Sequence, residues 1–264
     1  VRRPIDQKRY RAIAEYYDAE CDAIPWLEHD VPFLLKHLPR RSLNVLELAC
    51  GTGRVAIPLV QAGHRVVGVD YAPDMLAIAK RKRDALGISE KQLQLVEHDV
   101  LKLDLKQRFD LIAILFNGFL AFGTLAEQDR LLQMVRAHLK PDGRFWLDIF
   151  QPNLAILATH RSRNHSPTIF HVPSMNRTVF LVVDVERDPA KQLQLITFRY
   201  QWFDEKGREH KAQTKFTLTF IMPRELQILL QRNGLAIEKL WGDYDGSELN
   251  ADSPRMIAMC RLRR

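Results

Sequence analysis

The segment Val45-Leu46-Glu47-Leu48-Ala49-Cys50-Gly51-Thr52-Gly53 carries the densest chemical information in the chain. An apolar run of strand length holds one carboxylate, ends in a loop with two glycines and gives way to a helical pattern. Gly51 and Gly53 let the backbone turn sharply and come close to a ligand. A helix that follows such a loop turns free N–H groups toward that ligand. Placed at the carboxyl end of a strand, this arrangement suits a nucleotide-like cofactor.

Two cofactor classes use such a site. Gly51-Thr52-Gly53-Arg54-Val55-Ala56 satisfies G-x-G-x-x-A, the dinucleotide fingerprint, which is weak on its own. Glu47 argues for the other class. A carboxylate four residues before the first glycine points into the loop, where it can pair with an ammonium group. Nicotinamide dinucleotides have no ammonium there, whereas the methionine part of S-adenosylmethionine has one.

These residues need elements that deliver them to one edge. Residues 5–20 and 26–38 read as amphipathic helices separated by Pro25. Strand and helix patterns then alternate. The runs 43–49, 65–70, 93–96, 109–116 and 144–150 read as strands, and 54–62, 74–86 and 126–139 as helices. Lys140-Pro141-Asp142-Gly143 reads as the turn that stops the last of these helices. The alternation predicts an α/β fold with a doubly wound, Rossmann-like parallel sheet. After Gln151 the texture changes. Residues 151–168 read as irregular, and 177–186, 192–203 and 211–222 as three β-rich runs separated by turn residues, an inserted antiparallel meander. A helix over 223–233 and strands over 235–241 and 256–262 complete a seven-stranded sheet whose last strand is antiparallel. The expected organisation is 1–150 for N-terminal helices and cofactor core, 151–222 for the insert roofing an acceptor site, and 223–264 for the closing elements.

Taken together, the motifs resemble the class I S-adenosylmethionine-dependent methyltransferases. Glu47-x-x-x-Gly51-x-Gly53 matches their first motif, and Asp70 matches the acid that accepts from both ribose hydroxyls. Met75 matches the apolar residue beside adenine, and His98-Asp99-Val100 the pair that reads it. Residues 114–118 match the motif beside the transferable methyl group, and 140–143 the turn before the fifth strand. Residues 151–264, with Gly242-Asp243-Tyr244-Asp245-Gly246 and Ser253-Pro254-Arg255-Met256, resemble the small-molecule subgroup that includes nucleotide-linked amino-sugar N-methyltransferases. In that subgroup a Tyr-Asp pair on the N-terminal helix, here Tyr17-Asp18, closes over the cofactor. The amino-sugar enzymes carry a His just after the fourth strand, and this chain has none there. The resemblance implies S-adenosylmethionine as cofactor and S-adenosylhomocysteine as product. It implies cofactor contacts from Tyr17, Glu47, Ala49, Gly51, Gly53, Asp70, Tyr71, Met75, Asp99, Val100 and Phe116. Candidate acceptor contacts are Asn117, Arg161, His171 and Trp202, and no catalytic base stands out.

Each of these residues has a plainer reading. Asn117 can cap a turn, and Tyr200 and Trp202, at period two, can pack the insert on the main sheet. Lys80-Arg81-Lys82-Arg83 reads as a solvated helix face. His160, His165 and His171 have spacings that no metal motif requires, so no metal is expected.

Composition excludes several other classes. The 264 residues are 46% hydrophobic and 27% charged, unlike a disordered chain, a collagen or a coiled coil. Cys21, Cys50 and Cys260 form no CxxC pair, and an odd, widely spaced set supports neither a disulfide framework nor a zinc finger. No apolar run approaches membrane-spanning length, which leads to the expectation of a cytoplasmic protein acting on a small molecule, as a monomer or as a homodimer through the insert. The net charge of +7 keeps an RNA methyltransferase open as an alternative, beside a nicotinamide-dependent oxidoreductase. Over half of that excess lies in 151–222, where residues 151–183 hold Arg161, Arg163 and Arg177 and no acid. This local charge suggests an anionic acceptor.

Overall fold

The structure, a computed structural model, describes residues 10, 11, 13–164 and 166–263. His165 and residues 5–9 and 12 of the first expected helix lie outside the described residues. Side chains alternate between faces along a strand, so β1 (Asn44–Leu48), with Val45, Leu46 and Leu48 all buried, must be covered on both sides. β2 (Arg65–Asp70), β3 (Leu93–Glu97), β4 (Phe109–Ile114) and β5 (Leu139–Phe150) join it in parallel ladders.

The insert contributes β6 (Arg161–Arg163), β7 (Thr168–Val172), β8 (Arg177–Asp188), β9 (Leu193–Phe203) and β10 (Glu209–Thr219). The chain then returns to the first sheet as β11 (Leu235–Trp241) and β12 (Arg255–Leu262). The main sheet has the order β11-β12-β5-β4-β1-β2-β3. β12 runs antiparallel to both neighbours, the expected reversal of the last strand.

The helices are α1 (Ala14–Asp22), α2 (Asp30–Lys36), α3 (Ala56–Gln61), α4 (Pro73–Ala85), α5 (Leu125–His138), α6 (Leu154–Leu157) and α7 (Pro223–Arg232). α5 and α7 bring Leu131, Leu132, Leu229 and Leu230 into one core with Leu46, Ile112 and Leu147. α2 and α3 bring Phe33, Leu34 and Leu59 into a second core with Val45, Leu111 and Trp146. Glu47 shares the side-chain phase of Val45, and therefore faces the α2–α3 side. Among the described residues no helix is long and apolar enough to cross a membrane.

Several local expectations need correction. Residues 26–38 form a 3₁₀ turn over Pro25–His29 and then α2, not one helix. Pro32 has no N–H to continue a helix from upstream, so it sits in a first turn. The expected turn at 140–143 lies inside β5: the ladder passes from Phe109↔Leu139 to Leu111↔Arg144, and the intervening residues bulge out. A Cβ on Gly143 would come within 2.9 Å of the Phe109 carbonyl oxygen, so glycine allows that bulge. Within the stretch read as irregular, residues 161–163 form β6, and both β6 and β7 pair with β8. β6 is Arg-Ser-Arg, exposed throughout, and has no alternation to betray it. Its strand character comes from the free edge of β8.

The basic run on α4 is not a uniformly solvated face. Arg83 is buried and bonds Asp84, while Lys82 and Arg81 reach Asp18 and Glu15 of α1.

The face of the insert that carries Tyr200 and Trp202 rests on α1 rather than on the main sheet, which the insert meets instead through Leu218 of β10. Ile13 and Tyr16 share a core with Phe170, Val179, Leu181 and Tyr200, and the Tyr16 and Tyr200 rings stack at 5.7 Å. The Tyr200 hydroxyl donates to Glu20 Oε2 at 2.8 Å. Burial lifts the Glu20 carboxyl to about 7, and that hydrogen bond opposes the rise. A carboxyl raised above its unfolded value stabilises the fold at low pH, and loses that contribution as pH rises through 7. Tyr200→Phe therefore costs roughly 1–3 kcal/mol at pH 8, where a buried carboxylate loses its donor, and less at pH 5. Urea midpoints at the two pH values measure this, and equal midpoints for variant and wild type at both would refute it.

Candidate active site

The carboxyl ends of β1, β2 and β4 converge because the three strands are adjacent and parallel. Three residues without a glycine's freedom take positive φ at this edge: Ala49 (56°), Phe116 (48°) and Asn117 (64°). Left-handed backbone costs a side-chain-bearing residue of the order of 1 kcal/mol or more and clusters where function requires a particular loop path. Gly51 and Gly53 complete the β1 loop at φ 53° and 77°.

Asp70, at the end of β2, accepts from the Gly51 N–H through Oδ2 at 2.8 Å and from the Ala72 N–H through Oδ1 at 2.9 Å. It thus ties the glycine loop to the start of α4. Burial pushes its carboxyl up, and the backbone donors pull it back.

Glu47 is anchored on one side only, by the Ala56 backbone N–H, which favours its charged form. It is 4% exposed, and its Oε2 is buried without a hydrogen-bond partner. Burial lifts its carboxyl to about 8, with Asp70 and Asp30 adding and Arg54 opposing. An unpaired buried carboxylate oxygen is costly. An ammonium group placed against it would relieve that cost.

The other expected cofactor contacts stand on neighbouring elements. Met75 is buried at 2% exposure and shares a cluster with Ala14, Ala72, Ile78 and Tyr17. Tyr17 stands on α1, its hydroxyl pushed up by burial. Asp18 beside it accepts from Thr52 Oγ1 at 2.5 Å and from Lys82 at 2.8 Å, locking α1 onto the glycine loop and α4. Tyr71 meets Tyr10 edge-on at 5.8 Å. Asp99 caps the turn over Val100–Lys102 by accepting from the Leu101 N–H at 3.0 Å, and Val100 is buried.

The four expected acceptor contacts do not gather in one place. Asn117 fastens β4 to β5: its Oδ1 accepts from the Phe150 N–H at 2.7 Å and its own N–H donates to the Asp148 carbonyl at 3.1 Å. That carbonyl oxygen serves the backbone. Trp202 stacks on His210 at 5.6 Å and lies under the Arg177 guanidinium at 5.0 Å, on the insert. His171 is exposed on β7, opposite Thr178. Arg161 is exposed on β6 and pairs with Glu186 at 3.6 Å, while Arg163 pairs with Asp184.

Residues that sequence reasoning passed over complete the site. Arg54, just past the glycines, makes a two-pronged pair with buried Asp30 at 2.9 and 2.6 Å. Its guanidinium lies 5.4 Å from the Phe116 ring centre. Beyond Phe116 a cavity of about 150 Å³ is lined by Trp26, Phe116, Asn117, Asp148, Phe150, Pro254 and Arg255. Asp148 is 2% exposed, and its Oδ2 accepts from the Tyr244 hydroxyl at 2.6 Å. One signal could have found it: Asp148 is the lone charge in the apolar run Phe145–Phe150.

Comparison with known proteins agrees with this geometry. The family model that matches residues 45–143 is described as a methyltransferase domain. A cypemycin N-terminal methyltransferase from a Streptomyces species is 27% identical over 229 residues, 87% of this chain and 87% of its own length. The CcbJ methyltransferase from Streptomyces caelestis superposes with a TM-score of 0.79 at 24% identity, over 98% of this chain and 100% of that one. CalS10, an amino pentose methyltransferase from Micromonospora echinaspora solved with S-adenosylmethionine bound, gives 0.70 at 21% identity, over 94% of this chain and 97% of that one. With the glycine loop, the acid after β2 and the unpaired Oε2 of Glu47 in place, the chain carries a methyltransferase domain over residues 45–143 and resembles the S-adenosylmethionine-dependent methyltransferases.

Proposed function

We propose that this enzyme methylates an amine on a small molecule, and that the cleft between the β1 loop and α4 is where S-adenosylmethionine binds. The observation that carries the cofactor assignment is the buried, unpartnered Oε2 of Glu47. In this reading Glu47 takes the methionine ammonium. Asp70 turns its remaining lone pairs to the ribose hydroxyls, and Met75 with Val100 brackets the adenine. Tyr17, Ala49, Gly51, Gly53, Tyr71, Asp99 and Phe116 line the rest. When bound, the cofactor supplies a methyl group on a positively charged sulfur. The chain's part is to orient the acceptor and exclude water, worth on the order of 7–11 kcal/mol in favourable cases.

An amine acceptor fits the names of the relatives above, one acting at an N-terminus and one on an amino pentose. The reading rests on the amine and not on an anion, because Arg161 and Arg163 already face Glu186 and Asp184.

Titration calorimetry with S-adenosylmethionine, S-adenosylhomocysteine and NAD tests the site. The first two bind and NAD does not. Asp70→Ala weakens both by roughly tenfold to a hundredfold, the worth of one or two hydrogen bonds to a charged group. Undiminished affinity in that variant would overturn the assignment.

A further inference from the structure

The cavity beyond Phe116 has a composition of its own. Three aromatic residues line it, Trp26, Phe116 and Phe150, and the Trp26 and Phe116 rings lie 5.9 Å apart, centre to centre. A carboxylate, Asp148, lies within its lining. Aromatic faces beside a carboxylate form a standard environment for an ammonium group, through attraction to the ring quadrupoles and direct charge pairing. We infer that Asp148, held by Tyr244 and Arg255, binds the acceptor's ammonium group in this cavity and takes its proton before methyl transfer. This inference rests on the cofactor reading above and extends it to the acceptor side.

The geometry explains how the carboxylate is held. Tyr244 comes from the loop between β11 and β12, and its hydroxyl donates to Asp148 Oδ2 at 2.6 Å. Arg255 is buried between the Trp26 and Tyr244 rings, 4.2 Å from each centre. Its Nη1 donates to the Tyr244 oxygen at 3.2 Å and its Nε to Asp243 at 2.8 Å. Tyr244 must therefore turn its own proton toward Asp148. Arg255 and Tyr244 are positioning residues, and Asp148 is the one that meets the acceptor.

The groups facing Asp148 come from each packed element: Tyr244 and Arg255 from the β11–β12 side, Asp30 from α2, and the Phe116 N–H at the end of β4. Burial lifts the carboxyl to about 6, while Tyr244 and Arg255 restrain the rise. At neutral pH it is ionised and can accept a proton.

The step balances. An α-amino group has a pKa of roughly 8 and arrives mostly protonated at neutral pH. One N–H bond breaks and its proton goes to a carboxylate oxygen of Asp148. The pair freed on nitrogen forms the bond to the methyl carbon, while the carbon–sulfur pair leaves on sulfur. The methylated ammonium departs, and Asp148 returns its proton to water.

The test uses protein carrying ¹³C-labelled aspartate with S-adenosylhomocysteine bound. The probes are tri-alanine, whose amine is its α-amino group, and glucosamine. The Asp148 carboxyl signal, assigned by its disappearance in Asp148→Asn, titrates near pH 6 and shifts when at least one probe is added. Methyl transfer to that probe declines as pH falls through 6. Asp148→Asn lowers kcat on the order of 100-fold or more and leaves the affinity for S-adenosylmethionine unchanged. Tyr244→Phe keeps transfer but moves the acid limb to higher pH, because the hydrogen bond holding the Asp148 carboxyl down is gone. A merely structural Asp148 would lower the melting temperature without moving that limb. Wild-type turnover in Asp148→Asn, or a carboxyl signal indifferent to both amines, overturns the inference. Intact cofactor binding in Asp70→Ala would instead strike the reading beneath it, so the two failures are separable.

Discussion

Glu47→Gln weakens S-adenosylmethionine binding on the order of 100-fold and, without ligand, makes the protein more stable at alkaline pH. Both effects come from one buried carboxyl. Its value in the fold, about 8, lies above the ordinary 4.5. The stability tied to it is thus present below pH 4.5 and is lost as pH climbs through 8. Glutamine keeps the shape and never ionises, so the variant and wild type match near pH 4.5 and diverge above it by a few kcal/mol.

The affinity loss follows from removing one partner of a buried charge pair. A third consequence is proton release. At pH 7 the empty site holds Glu47 protonated, and an arriving ammonium favours the carboxylate. Binding in wild type therefore expels close to one proton, seen as a buffer-dependent calorimetric enthalpy, and binding in Glu47→Gln expels none. Equal buffer dependence in the two proteins would sink the pairing of Glu47 with the ligand's ammonium.

Asp30→Asn costs roughly 3–5 kcal/mol, as expected when one partner of a buried pair is neutralised. Asp30 is 1% exposed and holds the Arg54 guanidinium with both oxygens. Burial alone would lower the arginine's pKa, and Asp30 reverses this, so the guanidinium keeps its charge against its surroundings. The pair also has a mechanical role. It joins α2 to the turn that follows the glycine loop, under the Phe116 ring. The double variant Asp30→Asn, Arg54→Met recovers most of the loss, because an apolar replacement leaves no charge stranded. Urea denaturation of the single and double variants measures both effects. A single-variant cost below about 1 kcal/mol would show that solvent already screens the pair.

The parts legible in the chain share one property: they are local. The strand carrying Glu47, the glycine loop and the acid ending β2 form short motifs whose spacing is set by strand and turn geometry, and all stand where expected. The run 177–219 likewise shows its meander through alternation and turn residues. What escaped depends on partners far along the chain. β6 is a strand because β8 offers it an edge. Arg161 and Arg163 look uncompensated over 151–183, yet their carboxylates come from Glu186 and Asp184 across the ladder. The local charge excess therefore says little about a substrate. Asn117 stands at positive φ beside β5 and gives its side-chain oxygen to the Phe150 N–H while it lines the cavity beyond Phe116, a double placement that the chain order does not show.

By itself the sequence determined the sheet class, the cofactor and the place of the glycine loop, because a nucleotide-type site is built from contiguous segments at strand ends. Only the tertiary structure brings together the residues of the proposed acceptor cavity. Trp26, Phe116, Asp148, Tyr244 and Arg255 come from five separate segments and meet because β12 inserts beside β5 while the N-terminal helices fold over the strand ends. A buried carboxylate held by a tyrosine and an arginine about a hundred residues away leaves no spacing in the chain to read.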